Sequence, residues 1–188
     1  MSKTFSINDI KPLINHGHIH FGENKVQEAQ EKWQEIKKIN VNIKLHMIGK
    51  LQTNKVKQSV KLFDYIHSVD SLKLAKKISS EQKKIDKNLK LFIQINFNNE
   101  EQKSGINLKN FSDFFSVCNN DLKLHIVGIM CIPPMNLDAS IYFKKMQELK
   151  KRFNLQNLSM GMSSDYLSAV EFESNFVRIG TKIFGYRN

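Results

Sequence analysis

Short runs rich in β-branched and aromatic residues recur along this chain with amphipathic segments between them, and that rhythm constrains the fold more than any other feature. Candidate strands are Met1–Lys3, His18–Phe21, Lys44–Ile48, Tyr65–Val69, Leu91–Asn96, Leu124–Met130, Asn157–Ser159 and Phe176–Ile179. The stretches between them suit βαβ crossovers better than hairpins. Val26, Ala29, Trp33 and Ile36 recur at helical spacing, as do Leu108, Phe111, Phe115 and Cys118, and later Phe143, Met146 and Phe153, so each segment carries one stripe to bury against a sheet. Start signals agree: Ser6 with Asp9 forms a candidate capping box, Asp70 is placed to cap a helix from Ser71, and Ser163 or Ser164 one through Ala169. Eight such units in one domain, residues 1–188, point to a (β/α)8 barrel, although the fold typically takes roughly 250 residues. An open doubly wound sheet is the alternative, and periodicity does not separate the two.

The composition, with 40% hydrophobic and 25% charged residues, is that of a soluble globular protein. The first residues lack the pattern of a secretory signal, and no apolar run approaches the roughly 18 residues of a membrane span, so a cytoplasmic protein is expected. Cys118 and Cys131 have no metal-ligand spacing around them and fit a reducing compartment. The net charge of +11 raises a nucleic-acid partner, yet only Arg152, Arg178 and Arg187 supply the guanidinium fork, and the lysines are spread without a run of five. A solvated basic surface without nucleic acid is the expectation.

In a barrel, function gathers where the strands end and the βα loops converge. Lys3 ends the first candidate strand. Gly22, Glu23 and Asn24 follow the second, His46 and Gly49 lie at the third, Asp70 follows the fourth, Asn96 ends the fifth and Pro133 follows the sixth. Gly161, Met162 and Ser163 follow the seventh, and Arg178, Ile179, Gly180 and Thr181 the eighth. Loops after strands seven and eight commonly hold phosphate through backbone N–H groups and hydroxyls. A lysine with a desolvated amine, or one near a cation such as Arg178, can condense with an aldehyde to a Schiff base. Pyridoxal 5′-phosphate supplies both aldehyde and phosphate. Ser163, Gly180 and Thr181 would hold the phosphate, Lys3 the aldehyde carbon, and Arg178 would face the pyridine nitrogen, leaving the ring a weaker electron sink. His16, His18, His20, His67 and His125 show no ligand spacing with His46, so no metal is expected. Trp33 and the methionines read as packing, with Met162 near the ring.

The segments SKTFSI, FGENKVQEAQEKW, LHMIGKLQTNKVK, IHSVDSLKLA, EEQKSGI, LHIVGIMCIPP, LSMGMSSDYLSAV and VRIGTKIFGYRN resemble, in this order and spacing, the pyridoxal phosphate homeostasis proteins of the YggS/PROSC type. The resemblance runs from Ser2 to Arg187. It implies a barrel of the alanine-racemase N-terminal-domain type, here with its first helix and most of strand 1 missing, and pyridoxal phosphate on Lys3. Phosphate contacts carry over to Ser163, Gly180 and Thr181, the pyridine-nitrogen contact to Arg178, and Asn24 joins the lining. It further implies a carrier or regulator of the cofactor pool, acting in vitamin B6 homeostasis without an assigned reaction, with pyridoxal phosphate-dependent apo-enzymes as candidate partners.

Racemase-type enzymes add a second domain and a partner subunit that supply a tyrosine base. This chain ends at Asn188, and neither Tyr166 nor Tyr186 is placed opposite Lys3 by the sequence. A monomeric binding protein is therefore expected, with an amino-acid racemase or related enzyme as the alternative.

Overall fold

The computed structural model describes residues 1–97, 104–134 and 137–185. Its strands are β1 (His20–Glu23), β2 (Lys44–Met47), β3 (Tyr65–Val69), β4 (Lys90–Asn96), β5 (Ile106–Asn107), β6 (Ile126–Cys131), β7 (Asn157–Met162) and β8 (Phe176–Arg178). Its helices are α1 (Ile7–Asn15), α2 (Val26–Ile39), α3 (Val56–Leu62), α4 (Leu72–Lys83), α5 (Phe111–Ser116), α6 (Ala139–Arg152), α7 (Tyr166–Glu171) and α8 (Thr181–Phe184). The sheet runs β1-β2-β3-β4-β6-β7-β8 with every pairing parallel, and β5 pairs with β4 beside this path. The ends of the path curl toward each other, and the rings of His20 on β1 and Phe176 on β8 stand 6.1 Å apart. The result is a nearly closed barrel of seven parallel strands, which removes the doubly wound alternative. No helix among the described residues is long and apolar enough to cross a membrane.

Apolar side chains fill two layers, as βα crossovers around a barrel require. Between sheet and helices lies the larger cluster, which includes Val26, Ala29 and Trp33 of α2, Phe111 and Phe114 of α5, and Phe143 and Met146 of α6. Inside the barrel Tyr65, Phe92, Val127 and Met130 pack with Phe176. The expected stripes thus face the core, with Ile36, Phe115 and Phe153 half-buried against it, Leu108 exposed and Phe114 buried in its place. The Ser6–Asp9 capping box is formed in full. Two expected caps differ. Ser71, not Asp70, caps α4 by accepting from the N–H of Leu74, and the residue before α7 is Asp165, whose carboxylate accepts from the N–H of Met162 at 2.6 Å instead.

Met1–Lys3 is not a strand. It has too little backbone to pair along either neighbour, and Lys3 and Thr4 turn away toward α1. Its hydrogen bonds nevertheless bridge the two ends of the sheet: the Met1 amine donates to the carbonyl of Ile179, after β8, and the N–H of Ser2 donates to Gly22 of β1 at 3.0 Å.

Glu23, fully buried at the end of β1, fastens this segment. Its Oε1 accepts from Ser2 Oγ at 2.8 Å, Trp33 Nε1 at 2.9 Å and Lys32 Nζ at 3.0 Å, while Lys32 also donates to the Ser2 carbonyl at 2.8 Å. Removing one partner of a buried ion pair strands the other charge, which typically costs about 3–5 kcal/mol. Glu23→Ala should accordingly lower the unfolding free energy by about 3 kcal/mol in urea titrations and expose the Met1–Lys3 segment to N-terminal proteolysis, whereas Glu28→Ala on the surface should do neither.

Candidate functional site

Two adjoining cavities open where the strands end. One, of about 320 Å³, is lined by Met1, Lys3, Asn24, Gly49, Lys50, Gln94, Asn96, Ser104, Met162 and Arg178, with Ile48, Ile95 and Ile132 as its apolar wall. The other, of about 350 Å³, is lined by Met1, Lys3, Phe5, Met162, Ser163, Ser164, Arg178, Gly180 and Thr181. Met1, Lys3, Met162 and Arg178 belong to both. The six residues singled out from the sequence are brought together here: Lys3 and Arg178 at the junction, Asn24 on one side, and Ser163, Gly180 and Thr181 on the other.

Local backbone geometry explains how they arrive. Thr4 follows Lys3 at φ +67°, a left-handed conformation that a β-branched residue rarely adopts and that persists only where its surroundings enforce it. Gly49 passes so close to β1's exit that a Cβ there would stand 2.5 Å from the Asn24 carbonyl oxygen, so only glycine lets the two loops share one wall. On the far side the hydroxyl of Ser163 accepts from the N–H of Gly180 at 3.3 Å, joining the loop after β7 to the loop after β8.

Arg178 is the buried charge of the site. Its NH1 donates to Ser159 O at 3.0 Å and Ser159 Oγ at 3.1 Å, and its NH2 to Cys131 O at 2.9 Å. Burial pulls its pKa below the ordinary arginine value, with Cys131 and Asp165 acting in the other direction. The Met1 amine is drawn down to about 6, chiefly by burial and further by Lys3, with Glu23 opposing. Burial pushes both cysteine thiols up to about 12, so neither offers a thiolate.

Beneath the cavities lies an arrangement that the spacing of the histidines did not reveal. His20 Nδ1 and His46 Nε2 are 2.9 Å apart, His46 Nδ1 and His67 Nε2 2.9 Å, and His67 Nδ1 and Ser159 Oγ 2.9 Å. His46, expected at the barrel mouth, is instead an interior residue in this row, because on β2 it points inward below Ile48 and stacks on Tyr65 at 4.2 Å. Burial, then His20, Lys37, His18 and Lys90, lower its pKa to about 3. Burial, then His46 and Arg178, hold His67 well below the usual value.

Gly49, Lys50, Gln94, Ser104 and Met162 also line the site. Lys50, just beyond β2, and Gln94, inside β4, carried no sequence signal of their own. Asp70 and Pro133 do not line either cavity, nor does Tyr166, whose ring lies under the Lys182 ammonium at 4.7 Å. Tyr186 lies outside the described residues.

Residues 6–188 match the family described as the alanine racemase N-terminal domain. The chain is 34% identical over 198 residues to the pyridoxal phosphate homeostasis protein of Pasteurella multocida, covering 100% of this chain and 85% of that one. With the Escherichia coli K12 protein of the same name it shares 33% over 197 residues, covering 100% and 84%. Its structure is similar to that of PipY from Synechococcus elongatus solved with PLP bound, with TM-score 0.89 and 32% identity over 98% of this chain and 90% of that one. Alanine racemase from Clostridium difficile shares the barrel at TM-score 0.73 and 14% identity, over 95% of this chain and 48% of that one.

The buried histidines make stability fall with acid. His46 and His67 stay neutral in the folded barrel but take up protons near pH 6.5 once unfolded, so their contribution is complete above that value and is lost as pH falls. Each should remove up to about 1.4 kcal/mol per pH unit between roughly pH 6 and pH 5, where ordinary carboxylates are still mostly ionised. Urea unfolding at several pH values checks this, and His46→Phe should reduce the slope by half.

Proposed function

Since the chain belongs to the pyridoxal phosphate homeostasis protein family, we propose that it carries pyridoxal 5′-phosphate on the amine of Lys3, with the phosphate held by Ser163, Gly180 and Thr181 and the ring nitrogen facing Arg178. The observation that carries this reading is the junction of the two cavities, where a lysine amine and a buried guanidinium line the same space. The donor set fits the group. An amine, a fixed cation and a cluster of N–H and hydroxyl groups face cavities of the size that small-molecule sites take, about 300–1,000 Å³. No carboxylate among the described residues lines either cavity to repel an anion.

Pyridoxal phosphate supplies an aldehyde that an amine captures, an anionic phosphate anchor and a ring able to take up electrons. What this chain adds favours holding over turnover. A guanidinium keeps its proton throughout the physiological range, so Arg178 donates a hydrogen bond to a pyridine nitrogen without protonating it, and the ring stays a poor electron sink. No carboxylate, histidine or tyrosine among the described residues lines either cavity to act as a second base. A carrier in cytoplasmic vitamin B6 homeostasis, delivering to pyridoxal phosphate-dependent apo-enzymes as a monomer, follows better than an amino-acid racemase.

Titration with pyridoxal phosphate, borohydride trapping and peptide mass spectrometry should give one stoichiometric label on Lys3 and none in Lys3→Ala. Label on the Met1 amine or scattered over surface lysines would sink the assignment. Ser163→Ala and Thr181→Ala should each weaken binding about tenfold, as loss of one hydrogen bond to a charged phosphate does.

A further inference from the structure

The histidine row runs the length of the barrel interior, from His20 at the solvent end to Ser159 beside Arg178, and the cofactor reading leaves it without a role. We propose that His67 and His46, acting through Ser159, are positioning residues that hold the Arg178 guanidinium in place toward the cofactor, in a hydrogen-bonded row whose direction the guanidinium sets. The proposal rests on the reading of Arg178 given above.

The direction follows from donor and acceptor chemistry. A guanidinium has only donors, so Ser159 Oγ must accept from Arg178 NH1 at 3.1 Å. The hydroxyl proton of this fully buried serine then has His67 Nδ1, 2.9 Å away, as its acceptor. A ring nitrogen that accepts leaves the proton on the other, so His67 Nε2–H donates to His46 Nδ1. By the same step His46 Nε2–H donates to His20 Nδ1. The reverse direction would aim His67 Nδ1–H at Ser159 and strand a buried hydroxyl proton, which folded proteins avoid. Three neutral imidazoles, each protonated at Nε2, therefore form one strut.

The surroundings favour the neutral, directed state. His67 stacks on Phe92 with ring centroids 4.2 Å apart and faces Arg178, so a proton there would meet both an apolar wall and a cation. His46 lies between Tyr65 and Phe176, with the rings of His20 and His18 and the ammonium groups of Lys37 of α2 and Lys90 of β4 nearby. His20 faces Lys44, Lys90 and His18, with Asp64 as the opposing charge. A proton added to His20 Nδ1 would set two donors face to face, and the row could relieve that only by reversing against Arg178.

The consequence for the site is rigidity in the one group placed to meet the ring nitrogen. Arg178 reaches Cys131 O and Ser159 O on two other strands, but those carbonyls hold only one edge of the guanidinium each. Ser159 Oγ adds the link to a chain of rings locked by stacking.

The first test uses the full chain labelled with 15N-histidine, without cofactor, and reads imidazole tautomers by long-range 1H–15N correlation at neutral pH. Protonation at Nε2 in both His46 and His67 is expected, and an Nδ1–H tautomer at either overturns the directed row. The second test compares Ser159→Ala, His67→Phe and His67→Gln by pyridoxal phosphate titration, visible absorbance and melting temperature. Ser159→Ala and His67→Phe should weaken binding about tenfold and shift the visible band, while His67→Gln, which can both accept and donate, should recover most of the affinity and the wild-type band. Variants that lose melting temperature but keep the band and the affinity would reduce the row to packing and overturn the positioning role. A wild-type chain that takes up no pyridoxal phosphate would overturn the role toward the cofactor together with the site reading, and the tautomer result would still stand as a separate measure of the row.

Discussion

The buried guanidinium of Arg178 is the interaction on which the rest of this molecule depends. Projecting from β8, it is hydrogen-bonded to β6 through Cys131 O and to β7 through Ser159 O and Oγ, so one side chain ties three strands together where the barrel is nearly closed. A charge this deep is tolerated because its donors meet fixed acceptors, and breaking that set would leave an unpaired cation in the barrel. The same charge stands at the junction of the two cavities, so the group that binds the strands together also faces both of them.

Closure of the barrel is the second constraint. β1 and β8 are not paired, and an open parallel edge is a place where other strands add. Met1 and Ser2 span the gap at its upper end with a main-chain hydrogen bond to each side, and Glu23 and Lys32 clamp Ser2, with Trp33 bonded to Glu23 beneath. Lys3 is the next residue, and its placement against both cavities is therefore a product of barrel closure. The strained turn at Thr4 belongs to the same device, since it redirects the chain into α1 immediately after the lysine.

Fold and function meet in the choice of lining groups. Cations, amides and hydroxyls converge, while the histidines stand below the site in a neutral row and the carboxylate of Glu23 is spent on the N-terminal segment. Amines, a fixed cation and hydroxyls thus line the two cavities without a carboxylate among the described residues, a lining that favours a negatively charged group.

Much of this was legible in the sequence, for physical reasons. Helical stripes such as Val26, Ala29 and Trp33 announce their buried face because the period of a helix is local. Lys3, Asn24, Ser163, Arg178, Gly180 and Thr181 could be gathered from their order along the chain because parallel strands in a barrel all end at one mouth. The failures were equally physical. Met1–Lys3, expected as a strand from its place in the βα rhythm, has only three residues and no ladder with a neighbour, and a strand exists only as a pair. Ser163 and Ser164 look like helix caps, yet they line the cavity, and Ser163 is bonded to the loop after β8. His20, His46 and His67 share no sequence period at all. The sequence by itself determined the elements, their inward faces and the ring of residues at the strand ends, all set by short-range spacing and parallel order. Only the tertiary structure decided the histidine row, the clamp on Ser2 and the bracing of Arg178, because these depend on strand register and barrel closure, which bring together atoms that no local pattern relates.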